Sequence, residues 1–274
     1  MSDATITRRI RGHLKRTAWI VRTVHAGRAA ALRARQWRQY GKWWWRKGPD
    51  GLPVPPPGLL FLVAGTADVD WFLRTGKLGF ESLIETLSRN RVDPRELSAV
   101  LDFGCGCGRV IRYWKDWKGA RIHGVDYNPR LVEWCRRNLP FASFEVNRSE
   151  PPLQFATGEL DLVYALSVFT HLSESAQIAW MGEMRRVIRP GGHLLLTTHG
   201  ESYLDQLSEK ERVAFRSGAL VVVEEAAQGT NLCNAFHPVA YVRERLAEGW
   251  EVVDFEPMGA RGNPHQDLFL LRHP

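Results

Sequence analysis

The residues with the most chemical promise lie in one stretch, Val100-Leu101-Asp102-Phe103-Gly104-Cys105-Gly106-Cys107-Gly108-Arg109-Val110. An acidic residue follows a short apolar run, and three glycines stand on alternate positions after it. Glycine serves where a backbone must turn sharply and where a ligand comes close to it. In dinucleotide folds such a turn holds an anionic pyrophosphate at a helix N-terminus. An ionised Asp102 would oppose that anion and would suit a ligand carrying an ammonium group. A second acidic residue, Asp126, stands 22 residues after Gly104. Carboxylates near this offset hydrogen-bond ribose hydroxyls in nucleotide folds; the alternative role is to cap the helix opened by Asn128-Pro129. His171, His199 and His237 are the candidates for proton transfer, because imidazole titrates near neutrality.

Alternating strand and helix patterns position these groups, which indicates an α/β architecture. Residues 99–101 read as a buried parallel strand, with a helix expected over 109–117. The second strand covers 121–125, a helix 129–138, the third strand 143–146 and the fourth 160–166. Ile178, Met181, Met184 and Val187 fall at helical spacing within 174–188. Pro190-Gly191-Gly192 breaks that helix before a fifth strand at 193–198. A last helix spans about 237–247, followed by strands at 250–255 and 268–271. Ligands in open α/β sheets bind beyond the carboxyl ends of the strands, which is where His171 and His199 fall. No internal repeat is visible.

The glycine stretch resembles motif I of the class I S-adenosylmethionine (SAM)-dependent methyltransferases. The resemblance continues through Gly124-Val125-Asp126, Leu160-Asp161-Leu162-Val163-Tyr164-Ala165 and Arg189-Pro190-Gly191-Gly192, and covers about residues 70–274. It implies a Rossmann-like, seven-stranded, mostly parallel sheet of order 3-2-1-4-5-7-6, the last-placed strand antiparallel, with helices on both faces. SAM is the implied cofactor and S-adenosylhomocysteine its product. The implied cofactor site comprises Asp102, Gly104, Cys105, Gly106, Asp126, Tyr127, Asn147, Arg148 and Leu166, with Tyr127 against the adenine. The family often carries an acidic residue after the third strand. Asn147 and Arg148 stand there instead, which leaves the adenine contact open, although Asn can accept from an exocyclic amine. Neither an Asn/Asp-Pro-Pro-aromatic motif nor a Pro-Cys nucleophile follows the fourth strand, which counts against nucleic-acid bases as substrates. The tail, with Asn231, His237 and Gln266-Asp267, is similar to bacterial methyltransferases associated with small molecules and glycans. The expected reaction is in-line methyl transfer to a small-molecule or saccharide acceptor, at a hydroxyl, with His171, His199 or His237 as base. His171 has the alternatives of orienting substrate or simply starting a helix. Two rivals are a non-catalytic SAM-binding scaffold and an NAD(P)-dependent oxidoreductase, the latter disfavoured by Asp102 and by the Gly191-Gly192 turn.

Bulk properties frame these readings. At 274 residues, 44% apolar and 24% charged, the chain has room for one sizeable domain and an appendage. The net charge of +7 is uneven: residues 1–50 carry a net of +11 and the remainder −4. Residues 1–47 read as a basic, aromatic-rich helical arm, with Trp43-Trp44-Trp45 among cations. Anionic membrane surface, nucleic acid, or docking on the domain are its alternatives; no recognisable nucleic-acid module is present. Residues 48–58, with Pro53-Val54-Pro55-Pro56-Pro57, read as an extended linker. Residues 59–96 precede the glycine stretch as a lid or helical part, with Trp71, Phe72 and Arg74 as lid candidates. Residues 201–236 form a long insertion expected to cap the substrate. The four cysteines show no zinc-ligand spacing, so no metal is expected, and they suit a reducing compartment. No apolar run reaches membrane-span length. The chain is therefore expected in the cytoplasm, with peripheral association at the inner face of the membrane through the arm.

Overall fold

The computed structural model describes residues 47–229, 233–262 and 265–274. The helical arm and Asn231 lie outside the described residues. Two helices come first, α1 (Pro57–Ala64) and α2 (Val69–Arg89). The alternating part follows with β1 (Ala99–Phe103), β2 (Arg121–Asp126), α3 (Pro129–Asn138), β3 (Ser143–Val146), β4 (Leu160–Ala165), α4 (Glu174–Val187) and β5 (Ile188–Thr198). The insertion contributes α5 (Glu209–Arg216), β6 (Val221–Val223) and β7 (Asn234–Phe236). A short α6 (Val239–Tyr241) runs into a π-turn (Val242–Leu246) before β8 (Glu251–Ala260) and β9 (Gln266–Arg272).

The main sheet has seven strands in the order β3-β2-β1-β4-β5-β9-β8, while β6 and β7 pair separately. With the two insertion strands set aside, this is the expected 3-2-1-4-5-7-6 order. β1 through β5 run parallel, and β9 is antiparallel to both β5 and β8. β1 and β4 are buried at every position, as central parallel strands covered on both faces must be. One apolar layer joins Phe103, Val163 and Leu196 to Trp180, Met184 and Val187 of α4. The opposite layer joins Val100, Leu162 and Leu195 to Leu83 and Leu87 of α2 and Val132 of α3.

Several local expectations change. The helix expected over 109–117 is a single 3-10 turn, Ile111–Trp114. Gly108 still lies at φ +79° and Gly119 at φ +108°, so regular helix has fewer than about three turns in which to form. The fifth strand begins at Ile188 rather than His193, because Pro190-Gly191-Gly192 is accommodated as an irregularity. Its register jumps from Leu160↔Ile188 to Leu162↔His193. Asp161 fastens this corner, accepting from Ser98 N, Ala99 N and Arg189 Nε at 2.7, 2.8 and 2.5 Å. Residues 48–58 are no free spacer: Val54 and Pro57 are buried, and the Asp50 carboxylate pairs with the buried Arg112 guanidinium. Phe72, expected over the cofactor, is fully buried among Val54, Leu60, Cys107 and Leu131. None of Trp71, Phe72 and Arg74 lines the central cavity, and α1 occupies the lid position instead.

Candidate active site

A cavity of about 810 Å³ opens at the carboxyl ends of β1, β2, β4 and β5. That volume falls in the roughly 300–1,000 Å³ range of small-molecule sites. Every residue expected at the cofactor end lines it: Asp102, Gly104, Cys105, Gly106, Asp126, Tyr127, Asn147, Arg148 and Leu166. Of the three histidines, His171 and His199 line it and His237 does not.

The cradle is built by backbone conformation. Gly104 and Gly106 lie at φ +82° and +56°. A Cβ on Gly104 would come within 2.4 Å of Val168, and one on Gly106 within 2.9 Å of Val63 on α1. The loop is anchored by the Gly104 and Cys105 amides, which both donate to Val125 O at 2.9 Å. Asp126 Oδ2 then accepts from Gly106 N at 2.9 Å and Oδ1 from Asn128 N at 2.8 Å. Burial raises the Asp126 pKa, and these two amides oppose the rise. Asp126 thus braces the glycine loop from the end of β2. The cap of α3 is the Asn128 side chain, which accepts from Arg130 N.

Asp102, only 4% exposed, sits at the end of β1. Burial pushes its pKa up to about 7, and the Tyr164 phenol and the Arg109 guanidinium pull the other way. At the opposite rim Tyr127 is half exposed. Asn147 donates its amide N–H to Asp126 O at 3.2 Å and its side-chain Nδ2 to Arg148 O at 2.7 Å. The two cysteines of the stretch separate. Cys105 lines the cavity, whereas Cys107 is buried beneath α1, its Sγ 3.8 Å from Leu59 O.

The other end of the cavity lies under the insertion. His171 and His199 face each other edge to face with ring centroids 6.3 Å apart, and His199 stacks on Tyr203 at 4.1 Å. His171 Nδ1 is 2.7 Å from Cys233 O. A carbonyl only accepts, so Nδ1 carries the proton and Nε2 keeps its lone pair. Burial lowers the His171 pKa, and burial together with neighbouring His171 takes His199 down to about 3. His237 is fully buried behind this wall, with Nε2 2.9 Å from Gln177 Oε1, so it has no access to a substrate.

Sequence reasoning missed several lining residues. Phe61, Leu62 and Val63 of α1 close the cavity over the glycines; residues 59–63 read only as an apolar run. Arg109 enters it because the expected helix does not form there. Ser167 holds φ +59° at the end of β4, where its N–H donates to Thr197 Oγ1 at 2.8 Å and its Oγ to Gln266 Oε1 at 2.9 Å. Tyr203, Gln206 and Gln228 come from the insertion. Their spacing carried no signal, because only the folded cap brings them together.

Comparison with known proteins agrees with this geometry. Residues 100–192 match a family model described as a methyltransferase domain. The chain is 31% identical over 122 residues to a malonyl-[acyl-carrier protein] O-methyltransferase of Enterobacter lignolyticus, covering 44% of this chain and 47% of that one. It therefore spans about half the length of that relative. It is 29% identical over 201 residues to a phosphoethanolamine N-methyltransferase of Plasmodium falciparum, covering 70% of this chain and 73% of the other. The same fold occurs in a solved structure from Pyrococcus horikoshii, at TM-score 0.52 and 20% identity, over 71% of this chain and 91% of that one. SAM fits the residues present: glycines whose Cβ atoms would crowd the cradle, a carboxylate braced at the ribose offset and a buried acid for an ammonium. Residues 100–192 are thus similar to a methyltransferase domain, and they lie within a chain that shares the fold of that solved structure.

Proposed function

We propose that this protein methylates a hydroxyl of an uncharged, polar small molecule, a saccharide being the class that fits best, with His171 as general base. The observation that carries the reading is one cavity with two chemically distinct ends. Of its charged lining residues, Asp102, Asp126 and Arg148 come from the ends of β1, β2 and β3, and Arg109 lies beside Ser167 and Gln266. The end under the insertion offers Tyr203, Gln206, Gln228, Asn234 and two histidines, and no charged side chain. Such a wall supplies hydrogen bonds without a counter-ion, which suits hydroxyls and disfavours burial of a phosphate or ammonium.

SAM, when bound, supplies a methyl group on a positively charged sulfur. Asp126, Gly104 and Gly106 hold and orient it, and α1 excludes water from above. His171 Nε2 accepts the proton of the acceptor hydroxyl and so raises the nucleophilicity of the oxygen, while Cys233 O holds the ring and stabilises the charge on Nδ1–H. His199 is too weak a base for this task and orients the acceptor. His171→Ala is expected to lower kcat by about 10²–10⁴-fold with SAM affinity within twofold of wild type, in an assay of labelled methyl transfer to neutral sugars. Full turnover in that variant would refute the base assignment. Intact SAM binding with no transfer to any acceptor would favour the scaffold alternative.

For residues 1–47 the reading is association with an anionic membrane surface. Its support is the net charge of +11 over residues 1–50 together with Trp43-Trp44-Trp45. It places the enzyme peripherally on the cytoplasmic side. Among the described residues no helix is long and apolar enough to cross a membrane. Deleting residues 1–47 should abolish sedimentation with anionic vesicles; unchanged sedimentation would remove the basis of the reading.

A further inference from the structure

The turn that carries the proposed base is slight. His171 closes a single 3-10 turn, Phe169–His171, which has no side-chain cap. Its bonds are His171 N to Val168 O at 2.9 Å and Leu172 N to Phe169 O at 3.4 Å. So short a turn has poor hydrogen-bond geometry and does not fix a side chain by itself. The direction of the ring must come from outside the turn, and a fully buried residue, His237, stands behind its supports. Gln177 of α4 donates from Nε2 to Leu172 O at 3.0 Å, which leaves its Oε1 facing His237 Nε2 at 2.9 Å. A carbonyl oxygen only accepts, so His237 carries its proton on Nε2. The His237 amide donates to His199 O at 2.7 Å, where β7 meets the end of β5 through the parallel bridge His199↔Phe236. Cys233, just before β7, supplies the carbonyl that takes His171 Nδ1 at 2.7 Å.

We propose that His237 is a positioning residue for methyl transfer, holding the turn and the strand on either side of His171 and so setting the direction of the base. The inference rests on the reading of His171 as general base and adds to it a residue that never touches the substrate. The support has two arms. One runs from His237 Nε2 through the Gln177 amide to Leu172 O, next to His171 along the chain. The other runs back along β7 from the pinned His237 amide to Cys233 O, which keeps the proton on His171 Nδ1 and the lone pair on Nε2. Cutting either arm leaves a buried polar group without its partner. That group regains a partner only if the backbone carrying the base moves. Hydrogen-bonded relays of buried side chains rigidify a site and specify one arrangement of it. His237 transfers no proton itself: burial, with His199 nearby, takes its pKa down to about 3, and its Nδ1 has no partner among the described residues.

Ring-nitrogen NMR on the full chain reads the direction of the base and needs no acceptor. Wild type, His237→Ala, His237→Gln and Gln177→Met, labelled with ¹⁵N at histidine, are compared at neutral pH, and the His171 signals are assigned by their loss in His171→Ala. Wild type should show His171 with its proton on Nδ1. In His237→Ala and in Gln177→Met the ratio of that tautomer to the Nε2-protonated one should fall by roughly five- to tenfold, the worth of one hydrogen bond. His237→Gln can still donate to Gln177 Oε1 from its side-chain amide and should keep the wild-type ratio. Melting curves show that the variants are folded, and calorimetry should give them all wild-type affinity for SAM, since neither residue lines the cavity. A His171 signal indifferent to either His237→Ala or Gln177→Met would overturn the proposal. So would a ratio that His237→Gln fails to keep, or SAM affinity lost in step with the ratio. Should His237→Ala fail to fold, Gln177→Met and His237→Gln decide it. A wild-type His171 protonated on Nε2 would overturn the base orientation and the proposal together, whereas failure of wild type to bind SAM would overturn the methyltransferase reading on which both stand.

Discussion

Asp102 shows how one residue couples ligand recognition to pH. With the carboxyl titrating at about 7, close to half of the protein carries it protonated near neutrality when no ligand is bound. An ammonium partner stabilises the ionised form and lowers that pKa, so binding favours the deprotonated state. SAM affinity should therefore rise as pH increases toward 7 and level off above it. Below 7 it should fall by up to about tenfold per unit. Titration of wild type from pH 5.5 to 8.5 checks this, and Asp102→Asn should flatten the profile. The His171 pKa is lowered by burial, so loss of the base on acidification belongs below the usual histidine range. The sequence made Asp102, Gly104, Gly106 and Asp126 legible because each is dictated by local backbone or by a fixed offset. His237 was not legible as a structural residue, since nothing in its neighbours shows that Gln177, 60 positions away, takes its ring.

Among the elements, the insertion is the one that holds the proposed base, His171. Its returning segment holds the loop after β4 by three bonds: Cys233 O to His171 Nδ1 at 2.7 Å, Gly229 N to His171 O at 2.8 Å, and Gln228 Oε1 from Ser173 N at 3.0 Å. On the proposed reading, the segment that closes the cap also sets the orientation of the His171 ring. Gln228→Ala should lower kcat by roughly tenfold, the cost of about 1.4 kcal/mol in positioning, and leave SAM affinity unchanged; steady-state kinetics beside calorimetry separates the two. The opposite split belongs to the cradle. Gly106→Ala places a methyl 2.9 Å from Val63 at φ +56°, so it should weaken SAM at least tenfold. Strands β1, β2, β4 and β5 were legible from apolar runs and turn residues. The helix expected after the cradle was not, because its apolar spacing suits a 3-10 turn equally well and Gly108 decides between them.

For the molecule as a whole, the domain extends further toward the N-terminus than its composition suggests. The proline-rich segment looks like a spacer, yet it is strapped to the 3-10 turn that follows β1 through the Asp50–Arg112 pair, whose side chains are 8% and 0% exposed. Arg112 Nη2 also donates to Pro53 O at 3.0 Å. Removing one partner of a buried pair leaves the other uncompensated, so Arg112→Met should cost about 3–5 kcal/mol and lower the melting temperature by on the order of 10 °C. A melting curve unchanged by that substitution would show the strap to be dispensable. Composition hid this because polyproline segments in linkers and in packed straps are the same letters; only the charge partner distinguishes them. If SAM is held against the end of β2, calorimetric titration with SAM of wild type and Asp126→Ala will read it directly. Wild type is expected to bind in the micromolar range, and the substitution to weaken binding at least tenfold, about 1.4 kcal/mol. Binding that Asp126→Ala leaves untouched, or a wild-type protein that takes up NAD(P) and not SAM, would contradict it.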